Sequence, residues 1–136
     1  MVESKPELEE IREAECLEIL GQHSLGRLAI VVDGQPQIFP VNYAMSGRII
    51  SVRTAAGSKL SHAPSSKVCF EIDEYASGVG WSVMVQGTAV DATDAFDDVS
   101  WAARGVQALP LAPGAKSYRI AIEPSKITGR RFRVEV

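Results

Sequence analysis

The chain has 136 residues, enough for one domain with a real core, and its 46% hydrophobic content excludes a disordered polypeptide. Its net charge of −3 hides an asymmetry: residues 1–18 hold seven Glu against Lys5 and Arg12, so the remainder is slightly basic. That acidic arm argues against nucleic acid as a partner, because phosphate binding needs a dense basic face, and the one basic run, Arg130, Arg131 and Arg133, reads as a solvated strand end.

Ser4-Lys5-Pro6-Glu7 has the capping-box form, and Leu8, Ile11, Ala14, Leu17 and Leu20 follow at helical spacing, with Gly21 placed to stop the helix. The expected element is one N-terminal helix packed over a sheet or barrel end. Leu25 to Val32 reads as the first strand, where Gly26 allows close backbone approach or a bulge, and Asp33-Gly34 is a hairpin signal. Gln37 to Tyr43 returns as the second strand, and Pro40 inside it predicts a bulge or an edge; a bulge there would free neighbouring backbone groups to face a ligand. After a turn at Ser46-Gly47, Arg48 to Arg53 forms the third strand.

The stretch after that strand carries the chemistry. Arg53 and Thr54 are followed at once by Ala55-Ala56-Gly57 and a short helix over 58–62 that opens with Ser58 and Lys59. A guanidinium, two hydroxyls, an ammonium and the amides of a helix start make a donor set for a phosphate. The bland reading, two solvated charges at a strand end, is the better one for Arg53 and Lys59 alone; Thr54 and Ser58, together with the resemblance given below, tip it toward a site. His62 has no acid or nucleophile spaced to work with it.

Lys67 to Tyr75 is the fourth strand, with Glu71, Asp73 and Glu74 on its outer face rather than in a hard-metal site. Gly78-Val79-Gly80 precedes a strand, not a helix, so it is no dinucleotide fingerprint. Trp81 to Asp91 is the fifth strand, long enough to bend at Gly87. Thr93-Asp94 is placed to cap a helix from Ala95 to about Ala103, with Trp101 as its packing anchor. Lys116 to Glu123 is the sixth strand, broken at Pro124-Ser125, and strand continues over 126–136. Cys16 and Cys69 lack metal-ligand spacing and read as buried, reduced thiols. With no signal peptide and no apolar run of about 20 residues, a cytoplasmic protein with no membrane partner is expected. The even strand spacing predicts a mainly β, six-stranded small barrel with helical caps, in a single domain over residues 1–136.

Residues LGRLAIV (25–31), FPVNY (39–43), VRTAAGSKL (52–60), VCFEIDE (68–74), GWSVMVQGTA (80–89) and ITGRR (127–131) together resemble, in order, the pyridoxamine 5′-phosphate oxidase-like flavoproteins. The resemblance is to short bacterial members with the FMN-binding split barrel. It implies a homodimer with FMN in clefts at the subunit interface, the phosphate on Arg53, Thr54, Ser58 and Lys59. Pro40, Val41, Asn42 and the backbone near Val52 would flank the ring, Trp81 and Ser82 would complete the pocket, and Arg130 or Arg131 would reach the partner's cofactor. No protein acid or base is needed for hydride transfer to a flavin, so an oxidoreductase of unidentified small-molecule substrate is expected. The true oxidases end in an Arg- and Trp-rich segment that this chain does not have, so oxidation of pyridoxamine phosphate itself is not expected. Two alternatives are a deazaflavin (F420)-dependent reductase, for which no extra cations stand near residues 53–60, and a non-catalytic flavin- or tetrapyrrole-binding module.

Overall fold

The computed structural model describes residues 7–55, 59–106 and 118–133. Its strands are β1 (Glu7–Ile11), β2 (Leu25–Val32), β3 (Gln35–Ser46), β4 (Ile49–Thr54), β5 (Lys67–Ala76), β6 (Val79–Asp91) and β7 (Tyr118–Arg133), with helices α1 (Glu13–Gly21) and α2 (Asp98–Arg104) and a 3-10 turn over Lys59–His62. All neighbouring strands are antiparallel, in the order β1-β7-β4-β3-β2-β5-β6, and a further β6–β7 pairing closes six of them into a ring. This is the mainly β split barrel expected. The split lies on one edge of β7, where Tyr118–Ile122 pairs with β4 and Gly129–Arg133 pairs with β1.

The N-terminal helix is shorter than its periodicity predicts. Residues 7–11 form β1, and the helix starts only at Glu13. The open edge of β7 supplies backbone partners that a helix would forgo, and the register sets Glu9 opposite Arg131 and Glu10 opposite Arg130. Leu8, assigned to the helical stripe, is 67% exposed, whereas Ile11, Cys16 and Leu20 do enter the core. Ser4 and Pro6, half of the capping signal, lie outside the described residues.

The hairpins follow from their turn residues. Asp33-Gly34 and Ser77-Gly78 each place two consecutive residues at positive φ, the backbone that a two-residue connection between twisted strands requires. The β3–β4 turn is Gly47-Arg48, one residue later than expected, because Ser46 already pairs with Ile49. β6 and β7 run together along nearly their whole length, with the register slipping once between Gln86 and Gly87. A Cβ on Gly87 would sit 2.3 Å from the Glu123 carbonyl oxygen, so the predicted bend needs glycine there. Pro124 does not break the last strand: it sits opposite Gly87 at that irregularity, where its missing N–H is absorbed.

Inside the ring, alternate residues such as Leu28, Ile50, Val52, Phe70, Val83 and Ile120 are fully buried. Phe70 occupies the space over Gly26, where a Cβ would meet its ring at 2.4 Å, and Tyr43 meets it edge-on at 4.8 Å. The Tyr43 hydroxyl donates to the Leu20 carbonyl at 2.6 Å, fastening the end of α1 to the barrel, and burial pushes this phenol well above its usual range. Truncation of Phe70 to Ala would cost about 3–5 kcal/mol.

α2 starts three residues later than expected. Asp97, not Thr93 or Asp94, is its cap, accepting from the Ser100 amide at 2.8 Å and the Ser100 hydroxyl at 2.9 Å. Thr93 is engaged elsewhere, its hydroxyl oxygen accepting from the Arg119 amide. Trp101 is not a packing anchor: it is 56% exposed, beside the exposed Phe96 and under the Arg104 guanidinium. Cys16 is buried and Cys69 half-buried, both as free thiols.

Candidate functional site

The ladder between β3 and β4 ends at Tyr43 and Val52. Beyond it the two strands part, so among the described residues the β4-facing edge of residues 35–42 has no strand beside it, although β2 pairs the other edge without interruption. Pro40 thus stands on an open edge and not in a bulge, and its lack of an N–H costs the sheet nothing. Val41 and Val52 send their side chains into the core at 4% and 0% exposure, so only their backbones face the opening. Pro40 is exposed and Asn42 half-buried at its margin.

Arg53 and Thr54 end β4 on the far side of this seam. Strand alternation sends them to opposite faces. Thr54 is buried, whereas Arg53 shares its face with Ser51, which packs under α2 and donates to the Ala103 carbonyl at 2.8 Å. Directly across from Arg53 on β7 stands Arg119. Sequence reading missed this residue, since nothing local marks it; the cross-strand register is the only signal. One terminal nitrogen of Arg119 donates to Ser51 Oγ at 3.0 Å, to the Ala103 carbonyl at 2.8 Å and to the Val106 carbonyl at 2.6 Å. Burial, with Arg53 and Arg104 nearby, lowers its pKa. Ser58 lies outside the described residues, and so does the side chain of Lys59, whose backbone opens the 3-10 turn.

The remaining expected residues gather elsewhere. Ser82 faces Arg130 across the β6–β7 ladder, and Trp81 lies next to them with its ring 5.0 Å from that of His23. Within one chain they stand apart from the Arg53 group: from 119 to 130 along β7 is about 36 Å of strand at ~3.3 Å per residue. Arg130 is exposed opposite Glu10, whereas Arg131 donates to Glu15 at 2.5 Å and lies 4.0 Å from Glu9. The hydrogen bond to Glu15 holds the Arg131 pKa up.

Outside both groups, the β2–β5–β6 wall carries a depression of about 520 Å³ lined by Val31, Pro36, Val68, Cys69 and Thr88 among others, none of them an expected site residue. Beside it Arg27 bridges Glu71 at 2.6 Å and also Asp73. The acids of this strand therefore hold an arginine, and no group of three or more metal-ligating side chains occurs among the described residues. Among those residues no helix is long and apolar enough to cross a membrane.

An uncharacterised protein of Mycobacterium tuberculosis is 41% identical over 91 residues, which cover 65% of this chain and 80% of that one. The solved structure of the FAD binding protein from Mycobacterium smegmatis superposes with a TM-score of 0.72 at 31% identity, covering 93% of this chain and all of that one. A FAD-binding protein from Mesorhizobium loti shares the fold, with a TM-score of 0.67 at 23% identity over 91% of this chain and 97% of that one. The family model for pyridoxamine 5′-phosphate oxidase matches residues 12–131, so the chain belongs to the pyridoxamine 5′-phosphate oxidase family.

Proposed function

We propose that the protein is a homodimeric flavoprotein that holds a flavin at the seam between β3 and β4 and passes hydride or electrons to or from a small molecule. The observation that carries this reading is the parting of the two strands at Tyr43 and Val52, with Arg53 at one lip and the backbone of Pro40–Asn42 at the other. A planar ring needs such a slot lined by backbone donors, and a ribityl phosphate needs a guanidinium at its end. Arg53 and Lys59 neutralise the phosphate in this reading, with Thr54 and Ser58 adding donors where the strand gives way to the turn. FMN is the simplest cofactor that satisfies the slot. The flavin supplies the redox chemistry, and the chain binds it, orients it and shields it from water.

The wide separation of Trp81, Ser82 and Arg130 from Arg53 favours a dimer. One chain cannot bring both groups to one ring, whereas a second copy can present its own Trp81, Ser82 and Arg130 over the seam of the first. Leu25, Val31 and Ile38, each more than half exposed on the β2–β3 wall, suit such a contact. Arg131 is committed to Glu15, which leaves Arg130 as the residue offered to the partner's cofactor.

Fluorescence titration of the apo-protein with FMN tests the reading, with the double variant R53A/K59A as the control. Micromolar binding in the wild type and its loss in the double variant is the expected result. Unchanged flavin content and reductase activity in that variant would refute the phosphate site. Competition between FMN and F420 decides between a flavin and a deazaflavin. Flavin binding without turnover of any electron acceptor would favour the non-catalytic module.

A further inference from the structure

The two halves of the proposed flavin site share one outer face. Cross-strand partners point to the same side of a sheet, and the pairing runs from β3 through β2, β5 and β6 to β7. Pro40 stands opposite Arg27, Arg27 opposite Glu71, and Glu71 opposite Met84; two residues further along β5, Asp73 stands opposite Ser82, and Ser82 opposite Arg130. The lip of the seam is therefore at the β3 end of this face, and the group offered to the partner's flavin is at the β6–β7 end. Midway, between β2 and β5, Arg27 bridges Glu71 at 2.6 Å and also Asp73. A hollow of about 280 Å³ beside the bridge is lined by Ala29, Ile38 and Cys69 as well. Leu25, Ile38 and Met84, its apolar neighbours on this face, are exposed. The cluster sets two carboxylates against one guanidinium. Among the described residues the adjacent strands add no charge to it, since β3 brings Pro40 and Ile38 and β6 brings Ser82 and Met84. The next charges on this face are Lys67, beyond Cys69 on β5, and Arg130, beyond Ser82 and opposite Glu10.

We propose that Arg27, Glu71 and Asp73 lie at the two-fold axis of a dimer formed through this face, where the cluster meets its own copy, and that the dimer closes by taking up protons on these carboxylates. This rests on the flavin reading given above and adds the regulation of its assembly. A two-fold rotation that sets each chain's Ser82 and Arg130 over the other's seam exchanges the two ends of the face, and its middle is left facing itself. The occupant is therefore a second copy of this chain, seated on Leu25, Ile38 and Met84. Two copies bring four carboxylates and two guanidiniums into a contact that sheds water, an excess of two negative charges. Like charges facing each other there oppose association, and one proton on each copy removes the excess. Glu71 takes that proton: burial, and then its bond with Asp73, already raise its carboxyl above the ordinary 4.5, whereas the bond to Arg27 lowers Asp73. A group whose proton affinity rises on association strengthens that association as the pH falls.

The test is sedimentation equilibrium of the full chain in the wild type, E71Q and D73N, each checked for folding by circular dichroism. The wild-type dimer dissociation constant should fall about tenfold or more from about pH 8 to about pH 5.5. E71Q should lose that dependence and stay at both values within about threefold of the acid wild-type constant, and D73N should lose it too if the glutamine variant fails to fold. A wild-type dimer of equal strength at both values, or a pH dependence that the folded variants keep, would overturn the proton-linked contact and leave the dimer standing. A wild-type monomer at both values would remove the dimer as well, and FMN titration of the same sample reports separately whether the seam binds.

Discussion

Arg130, Arg131 and Arg133 stand together in the sequence, yet the fold lays them along an edge that the acidic β1 and the start of α1 cover: Glu10 faces Arg130, and Glu9 and Glu15 flank Arg131. Arg104 and Arg119 lie far apart in the sequence, on α2 and β7, and the fold brings them to one corner beside Arg53 with carbonyls and a hydroxyl as their protein partners. Within the dense run Arg131 is therefore paired inside the chain, whereas Arg104 and Arg119, among the described residues, rest on carbonyls and a hydroxyl and not on carboxylates. A basic run in a sequence measures local density; what a ligand meets is the charge left over after strand register has assigned partners.

Removing Arg119 is the most damaging way to probe this contrast. R119M leaves the Ala103 and Val106 carbonyls without their charged donor under α2, and should destabilise the protein by about 2–3 kcal/mol, read as a shift in the urea midpoint. Its flavin affinity should fall as well. On the neutralised side, R131Q breaks a pair whose members are 37% and 40% exposed, so the loss should stay below about 1 kcal/mol, shrink further in salt, and leave flavin affinity unchanged. A large effect on flavin binding from R131Q and none from R119M would reverse the comparison.

Arg27 is a second neutralised arginine, and it sharpens the contrast through pH. Its hydrogen bond to Asp73 holds that carboxyl below the ordinary 3.8, so Asp73 favours the folded state most fully above that value and stops doing so as the pH falls below it. Glu71 moves the other way: burial, then its bond with Asp73, raises it above the ordinary 4.5, so its ionisation opposes folding as the pH rises through the raised value. D73N should therefore flatten the acid limb of the urea midpoint plotted against pH, by a small amount because the pair is nearly half exposed. An acid limb of full wild-type steepness in D73N would assign the loss to other groups.

The barrel was legible in the sequence because its signals are local. Alternation marked β2, β5 and β6, Asp33-Gly34 marked a hairpin, and Gly87 marked the bend that the Glu123 carbonyl enforces. β1 was not, because Leu8 and Ile11 fit a helical period equally well and only the open edge of β7 decides between the two. The cap of α2 was misplaced because Thr93 and Asp97 look alike locally, and the hydrogen bond from Arg119 claims the first. Of the site, Arg53 and Pro40 were visible at a strand end and a strand interruption. Arg119 was not, since its role comes from standing opposite Arg53 on a strand more than sixty positions later in the chain.

Equilibrium dialysis of the wild-type protein against micromolar flavin, read by absorbance, is the decisive experiment. About one flavin per chain should accumulate on the wild type and none on R53A/K59A. A wild-type protein that holds no more flavin than the surrounding dialysate would refute the seam site.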